Sequence, residues 1–350
     1  MRDAAPGCEI LDALHERAFR ECIPLQVSLE LTQRCNIRCT HCYNFDRGEA
    51  RPSADPELTF DEIRALLDDL RAAGTLFVAL TGGEAMMHPR FWDILDETAA
   101  RNFAVYLLSN GTLLTESACD RLASSPNLWD VGLSVYGARP ATHDAVTRAP
   151  GSHRRTLDGA VRLRDRGVPT ALKIVVLQAN AGEAADMIAL AEGLGLPYLV
   201  DTTITGRYDG TSGSLATRVD SPTLEALYRG PLRPLLSEGN AHPGDEDFRC
   251  MCARGNAAVS STGDVWPCIA APLVAGNIRR QPFSAIWKES PVFARIRGLR
   301  RADFAACDPC GLKAWCRRSP GPAVVLHGDY TGIDPWTCRE AEIVRQVLSE

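Results

Sequence analysis

The run Cys35-Asn36-Ile37-Arg38-Cys39-Thr40-His41-Cys42 decides how the chain is read. It stands just after Leu25–Leu31 (L-Q-V-S-L-E-L), whose period-two alternation of apolar and polar residues is that of a half-buried strand. Three thiols within eight residues at a strand's end form a compact metal-binding loop. An iron–sulfur cubane has four irons and normally takes four cysteines, so this loop leaves one iron open to another ligand. Zinc also takes closely spaced thiolates, but structural zinc wants four ligands, and the further candidate close by, His41, lies inside the loop.

With 350 residues the chain forms one large domain or two and buries a substantial core. Apolar residues at 45% and charged residues at 23% are those of an ordinary globular protein. A net charge of −6 disfavours a protein built to neutralise phosphates, so nucleic acid is not an expected partner. The N-terminus has no long apolar segment and no stretch approaches bilayer length, so we expect a cytoplasmic protein with no membrane partner. In such a chain thirteen cysteines point to metal or redox chemistry rather than disulfides, the more so because three lie between 35 and 42 and seven between 250 and 338. Cys8, Cys22 and Cys119 stand alone and read as packing residues, with Cys22 also a candidate hydrogen donor to a substrate radical.

Outward from the loop, β-rich runs alternate with amphipathic helical ones. The strands are expected at Leu25–Leu31, Leu76–Leu80, Ala104–Ser109, Trp129–Val135, Leu172–Leu177 and Tyr198–Thr203. Helices are expected at 59–70, at 91–100, after Thr115, at 156–166 and over Glu183–Glu192, with Thr59 and Glu62 forming a capping box. Six βα units make an α/β fold, a partial (β/α)6 barrel whose reactive groups gather at the C-terminal ends of the strands. We divide the chain into an N-terminal extension (1–23), the barrel (24–210), a Gly- and Ser-rich linker region (211–244) with a helix near Pro222–Tyr228, and a small cysteine-rich module (245–350). In that module A-A-V-S-S-T-G-D-V-W-P reads as a β-hairpin turning at Thr262-Gly263-Asp264, and H-P-G-D-E-D precedes its first cysteine.

Three segments follow the next strands: T-G-G-E (Thr81 to Glu84), S-N-G-T (Ser109 to Thr112) and L-S-V-Y-G (Leu133 to Gly137). Glycines such as Gly82 and Gly83 let backbone approach a ligand closely, although most such pairs are plain turns. Near the C-terminus, Cys252 is followed by Gly263, four residues and Cys268, and then by C-D-P-C-G-L-K-A-W-C (Cys307, Cys310, Cys316) and Cys338.

Together these motifs resemble the radical S-adenosylmethionine (radical SAM) enzymes with a C-terminal SPASM module, over about residues 24 to 340. The resemblance implies that Cys35, Cys39 and Cys42 hold a [4Fe-4S] cluster whose open iron takes the amino and carboxylate groups of S-adenosyl-L-methionine. One electron from the reduced cluster then yields a 5′-deoxyadenosyl radical that abstracts hydrogen. It also implies cofactor contacts at Gly82, Gly83 and Glu84 (amino group), Ser109 and Asn110 (ribose and methionine), and Ser134 (carboxylate). Arg148 is a carboxylate partner or a solvated surface charge. His41 and Tyr43 either stack beside the adenine or fill space by the loop. Ala85 departs from the family's usual Pro.

For the SPASM module the resemblance implies one or two auxiliary iron–sulfur clusters. Cys307, Cys310, Cys316 and Cys338 would hold the distal one, and Cys250, Cys252 and Cys268 the proximal one. The family's further cysteine is missing, and Ser319 stands where it is expected. The proximal cluster thus keeps an open iron, takes Ser319 or another oxygen, or is smaller or absent; zinc is the alternative for the whole module. The implied function is oxidoreductase chemistry or peptide maturation on a ribosomally made precursor. The alternatives are a carbohydrate or tetrapyrrole substrate, and a non-catalytic zinc-binding adaptor. An electron donor such as flavodoxin or ferredoxin is implied. Because residues 1–23 leave no room for a fused peptide-recognition domain, leader recognition is expected from a separate protein. No catalytic base is assigned; Asp201, Tyr136 and Asp264 are candidates.

Overall fold

The computed structural model describes residues 8–46, 55–237 and 250–350. The H-P-G-D-E-D run and the expected linker boundary at 244/245 lie outside the described residues. Six parallel strands run in sequence order: β1 (Gln26–Thr32), β2 (Phe77–Gly82), β3 (Ala104–Ser109), β4 (Leu128–Val135), β5 (Thr170–Val175) and β6 (Tyr198–Asp201). The helices of this half are α1 (Cys8–Glu21), α2 (Phe60–Ala72), α3 (Phe91–Ala100), α4 (Glu116–Ala123), α5 (Pro140–Thr147), α6 (Ser152–Asp165), α7 (Ala184–Gly193) and α8 (Ser221–Arg229). On β1, Val27, Leu29 and Leu31 pack with Ile63, Leu66 and Leu67 of α2, and strand alternation turns Ser28, Glu30 and Thr32 to the opposite, inner face.

The same sheet continues into the cysteine-rich half. Strand β7 (Asn256–Val259) pairs in parallel with β1, from Gln26 opposite Asn256 to Leu29 opposite Val259. Strands β8 (Asp264–Trp266) and β9 (Gly276–Asn277) follow antiparallel, giving the order β6-β5-β4-β3-β2-β1-β7-β8-β9. The expected hairpin is therefore welded onto the barrel's edge. Its turn needs Gly263, whose φ of +93° is costly for other residues. Helices α9 (Phe283–Glu289), α10 (Pro291–Gly298), α11 (Pro320–His327) and α12 (Pro335–Leu348) complete the module. Arg279 binds it to the barrel, donating to Glu62 Oε1 at 2.6 Å and to the carbonyls of Pro56 and Glu57 at 3.0 and 3.1 Å.

Boundaries differ from expectation where side chains intervene. Strand β5 ends at Val175, before Leu177, because Asn180 Oδ1 accepts the Leu177 N–H at 2.7 Å. Helix α6 begins at Ser152 rather than Thr156, since Asp144 accepts from His153 N and Ser152 Oγ, both at 2.9 Å. No helix among the described residues is long and apolar enough to cross a membrane.

Candidate functional site

The cysteine loop leaves the C-terminal end of β1 and is clamped from two sides. Arg38 N and Thr40 N donate to the carbonyls of Thr147 and Val146 at the end of α5, at 2.8 and 3.0 Å. From β2, Gly83 N donates to Thr32 O at 2.7 Å and Glu84 N to Arg34 O at 2.9 Å. This contact explains the glycine pair. A Cβ on Gly83 would lie 2.8 Å from Gln33 O and closer still to Arg34 O, and one on Gly82, at φ +122°, would strike Thr32 O. What presses on these glycines is the chain that leads into Cys35.

Glu84 is buried, and its carboxylate accepts from Ser109 Oγ (2.9 Å), Asn110 N (2.8 Å) and Met86 N (3.3 Å). Burial raises its pKa in spite of these bonds. Asn110 carries the network to the loop: its Nδ2 donates to Asn36 Oδ1 at 2.9 Å and toward Cys35 Sγ at 3.9 Å, while its Oδ1 accepts from Thr112 N at 2.9 Å. Segments at the ends of β2 and β3 thus position the first cysteine.

His41 packs edge-on against Tyr136, ring centroids 4.6 Å apart, and burial pushes its pKa down to about 4, so the imidazole is neutral at pH 7. The phenol of Tyr136 is raised well above its usual range by burial and then by Cys39, and it bonds Ser134, which places Ser134 beside the cysteine loop. Arg148 is exposed and forms the left-handed C-cap of α5, one residue beyond the carbonyl that holds the loop. Tyr43 meets Tyr208 at 5.0 Å, and Tyr208 meets Trp266 at 5.6 Å, an aromatic line from the loop to the hairpin that ends two residues before Cys268.

In the module, Cys252 stands in contact with both Cys250 and Cys268. Cys316 is pushed up to about 11, by burial first and then by Cys338, Cys307 and Cys310 around it. Cys252 thus has Cys250 and Cys268 as neighbours, and Cys316 has Cys338, Cys307 and Cys310. Ser319 points elsewhere, since its Oγ accepts from Gly321 N at 3.3 Å as the N-cap of α11. The residue that sequence reasoning missed is Tyr330, buried with its phenol against Cys250 and Cys252. A tyrosine fourteen residues after Cys316 has no spacing signal that could have revealed it.

Of the other candidates, Cys22 ends α1 and precedes the N-terminal end of β1, so it sits at the opposite end of that strand from the loop. Cys119 is wholly buried in the main core. Asp201 is exposed, and Asp264 accepts from Asn277 Nδ2 at 2.9 Å. A cavity of about 150 Å³, open to solvent, lies between the loop and the hairpin. Its walls include Glu30, Asn44, Tyr208, Asp209, Ser261 and Trp266, with Asp264 also on its lining, and no lysine or arginine is among the described residues that line it.

The comparisons agree with this geometry. The Radical SAM superfamily model matches residues 29–191, and that of SPASM, an iron–sulfur cluster-binding domain, matches 250–311. An AdoMet-dependent heme synthase of Methanosarcina barkeri is 29% identical over 340 residues, covering 89% of this chain and 96% of that protein. The mycofactocin maturase MftC of Mycobacterium ulcerans is 28% identical, covering 84% and 82%. In fold, the chain is similar to Streptococcus suis SuiB bound to the precursor peptide SuiA, with a TM-score of 0.68 at 16% identity, covering 96% of this chain and 82% of that one. The chain belongs to the radical SAM superfamily and carries a SPASM iron–sulfur domain. It is a radical SAM enzyme whose cofactors are S-adenosylmethionine, a [4Fe-4S] cluster and auxiliary iron–sulfur clusters.

The donor set fits these groups. Among the described residues no three His, Cys, Asp or Glu side chains are arranged to hold a single metal ion. The buried thiols oppose one another's ionisation, a cost that a cationic cluster removes by binding them as thiolates. Cys35, Cys39 and Cys42 would hold the first cluster. Ser109, Asn110 and Ser134 would hold S-adenosylmethionine, with the buried Glu84 fixing Ser109 and Asn110. Bound there, these groups supply a 5′-deoxyadenosyl radical for hydrogen abstraction. The chain's own part is to fix the loop through Gly83 and Asn110, to keep His41 neutral and packed, and to line the adjoining cavity with polar groups.

Proposed function

We propose that the enzyme modifies a ribosomally made precursor peptide in the cytoplasm, reduced by a flavodoxin- or ferredoxin-like donor and served by a separate leader-recognition protein. The observation that carries the choice of substrate is the cavity wall: hydrogen-bonding groups and the carboxylates of Glu30, Asp209 and Asp264, with no basic residue among the described residues that line it. Such a wall suits a peptide, which brings carbonyls and N–H groups. A tetrapyrrole with acidic substituents needs cations and a broad apolar slot. The tetrapyrrole reading keeps one observation in its favour, the similarity to heme synthases across most of the chain. To test the choice, reconstituted enzyme and S-adenosylmethionine are incubated with deuterium-labelled peptide. Label in 5′-deoxyadenosine supports the peptide; label that appears only with a porphyrin or a sugar overturns it.

A further inference from the structure

Strand β5 alternates in burial. Leu172 and Ile174 are wholly buried in the main core with Leu163 of α6 and Met187 of α7, while Ala171, Lys173 and Val175 lie part-exposed on the opposite face. Strand β3 does the same, with Tyr106 and Leu108 part-exposed between buried Val105 and Leu107. The barrel's inner wall is thus open to solvent along these strands, and Lys173 stands on it. Of the residues in β1 to β6, Lys173 is the one lysine or arginine.

Gly132 on β4 shows where the lysine points. A Cβ added there would lie 3.0 Å from Leu108 Cδ2, 3.3 Å from Lys173 Cδ and 3.4 Å from Lys173 Cε. The stem of Lys173 therefore runs from β5 over the bare glycine toward Leu108 on β3, along the inner wall and away from the helices. Across the ladders Lys173 stands opposite Ser134 of β4 and Leu199 of β6. Adjacent strands lie about 5 Å apart, so the lysine is one strand from a residue that would hold S-adenosylmethionine. Asp130, two residues before Gly132, and Asp201, opposite Val175, are the next carboxylates along the wall. Among the described residues, no ion pair joins either of them to Lys173.

An ammonium is a compact charge with three donors, and a single one suits a single carboxylate. We propose that Lys173 is the substrate's anchor, its ammonium binding a carboxylate inside the barrel one strand from Ser134 and so presenting a neighbouring C–H bond to the radical. The proposal rests on the peptide reading and deepens it, since the gripped group is then an acidic side chain or the C-terminal carboxylate.

The test is saturation-transfer NMR on the reconstituted holoenzyme with S-adenosylmethionine bound. The probes are N-acetylglutamate N-methylamide, its neutral counterpart N-acetylglutamine N-methylamide, and N-acetylalanine with its free carboxylate. The tighter of the two carboxylate probes should bind at least fivefold more strongly than the glutamine probe, and which one it is assigns the group to a side chain or to the C-terminus. Lys173→Met should remove that preference with iron content unchanged, and Lys173→Arg should keep it. Gly132→Ala, which presses a methyl group on the stem and leaves the charge, should weaken the carboxylate probe at least threefold; if Lys173→Met does not keep its iron, unchanged affinity in Gly132→Ala overturns the proposal in its place. A preference that survives Lys173→Met, or its absence from the wild type, overturns the proposal. So does a tenfold loss of S-adenosylmethionine affinity in Lys173→Met, which would make the lysine a cofactor contact. Failure of deuterium transfer from every peptide, with the Lys173-dependent preference intact, overturns the peptide reading alone.

Discussion

Alanine at Gly83 would drive a methyl group against the backbone that leads into the cysteine loop, 2.8 Å from Gln33 O and nearer still to Arg34 O. Backbone carbonyls cannot rotate out of the way as the end of a side chain can. The loop must recede, stretching the bonds from Gly83 N to Thr32 O (2.7 Å) and from Glu84 N to Arg34 O (2.9 Å). Overpacking of this kind costs about 1–3 kcal/mol. Each weakened bond adds up to about 1 kcal/mol, and the terms overlap, so we expect a total of roughly 2–4 kcal/mol. In a chain of this size that lowers Tm by about 3–5 °C. Thermal unfolding followed by circular dichroism, with iron and sulfide counted per chain, reads both effects: lower Tm, and loss of the iron of one cubane while the module keeps its own. Gly182→Ala is the control, because its added Cβ would meet nothing within 4 Å. Wild-type stability and full iron in Gly83→Ala, or equal damage in Gly182→Ala, would refute the argument that this glycine exists to seat the loop.

Glu84→Gln keeps the shape but turns an amide N–H toward the N–H and O–H donors of Asn110 and Ser109; it should cost about 2–3 kcal/mol in urea unfolding and weaken S-adenosylmethionine binding in equilibrium dialysis. Ser319→Ala removes the α11 cap, so stability should fall by about 1 kcal/mol with iron content unchanged; lost iron would make Ser319 a ligand. Tyr330→Phe, by contrast, should alter the electron paramagnetic resonance (EPR) signal of an auxiliary cluster at full iron loading, because its phenol lies against Cys250 and Cys252. The hydrogen bond from Arg279 holds the Glu62 carboxyl down to about 2 from an ordinary 4.5. Its folded pKa is depressed, so the stabilisation is present above about pH 4.5 and fades as pH falls toward 2. The stability gap between wild type and Glu62→Gln should therefore be constant from pH 6 to 8 and narrow in acid.

The barrel was legible because its strands are apolar runs separated by capped amphipathic helices; α3 falls on the ten residues expected, and Thr59 and Glu62 form the expected capping box. Helix α5 was not legible, being one short run opened by Pro140 and closed by Arg148 in a left-handed conformation where glycine is the usual signal. The parallel seam between β1 and β7 was also hidden, since pairing across more than two hundred residues leaves no local pattern. Within the site, cysteine spacing announced the thiols, but nothing in T-G-G-E says that its glycines press on the loop's own backbone. Tyr330, Trp266 and Asn44 reach their sites only through tertiary packing.

EPR of the anaerobically reconstituted, dithionite-reduced enzyme, with and without S-adenosylmethionine, tests the central claim most directly. A cubane held by Cys35, Cys39 and Cys42 alone should give a signal that shifts when the cofactor is added, and Cys39→Ala should abolish that shift while leaving the module's signals. A spectrum indifferent to the cofactor, or protein that holds zinc without labile sulfide, would contradict the account.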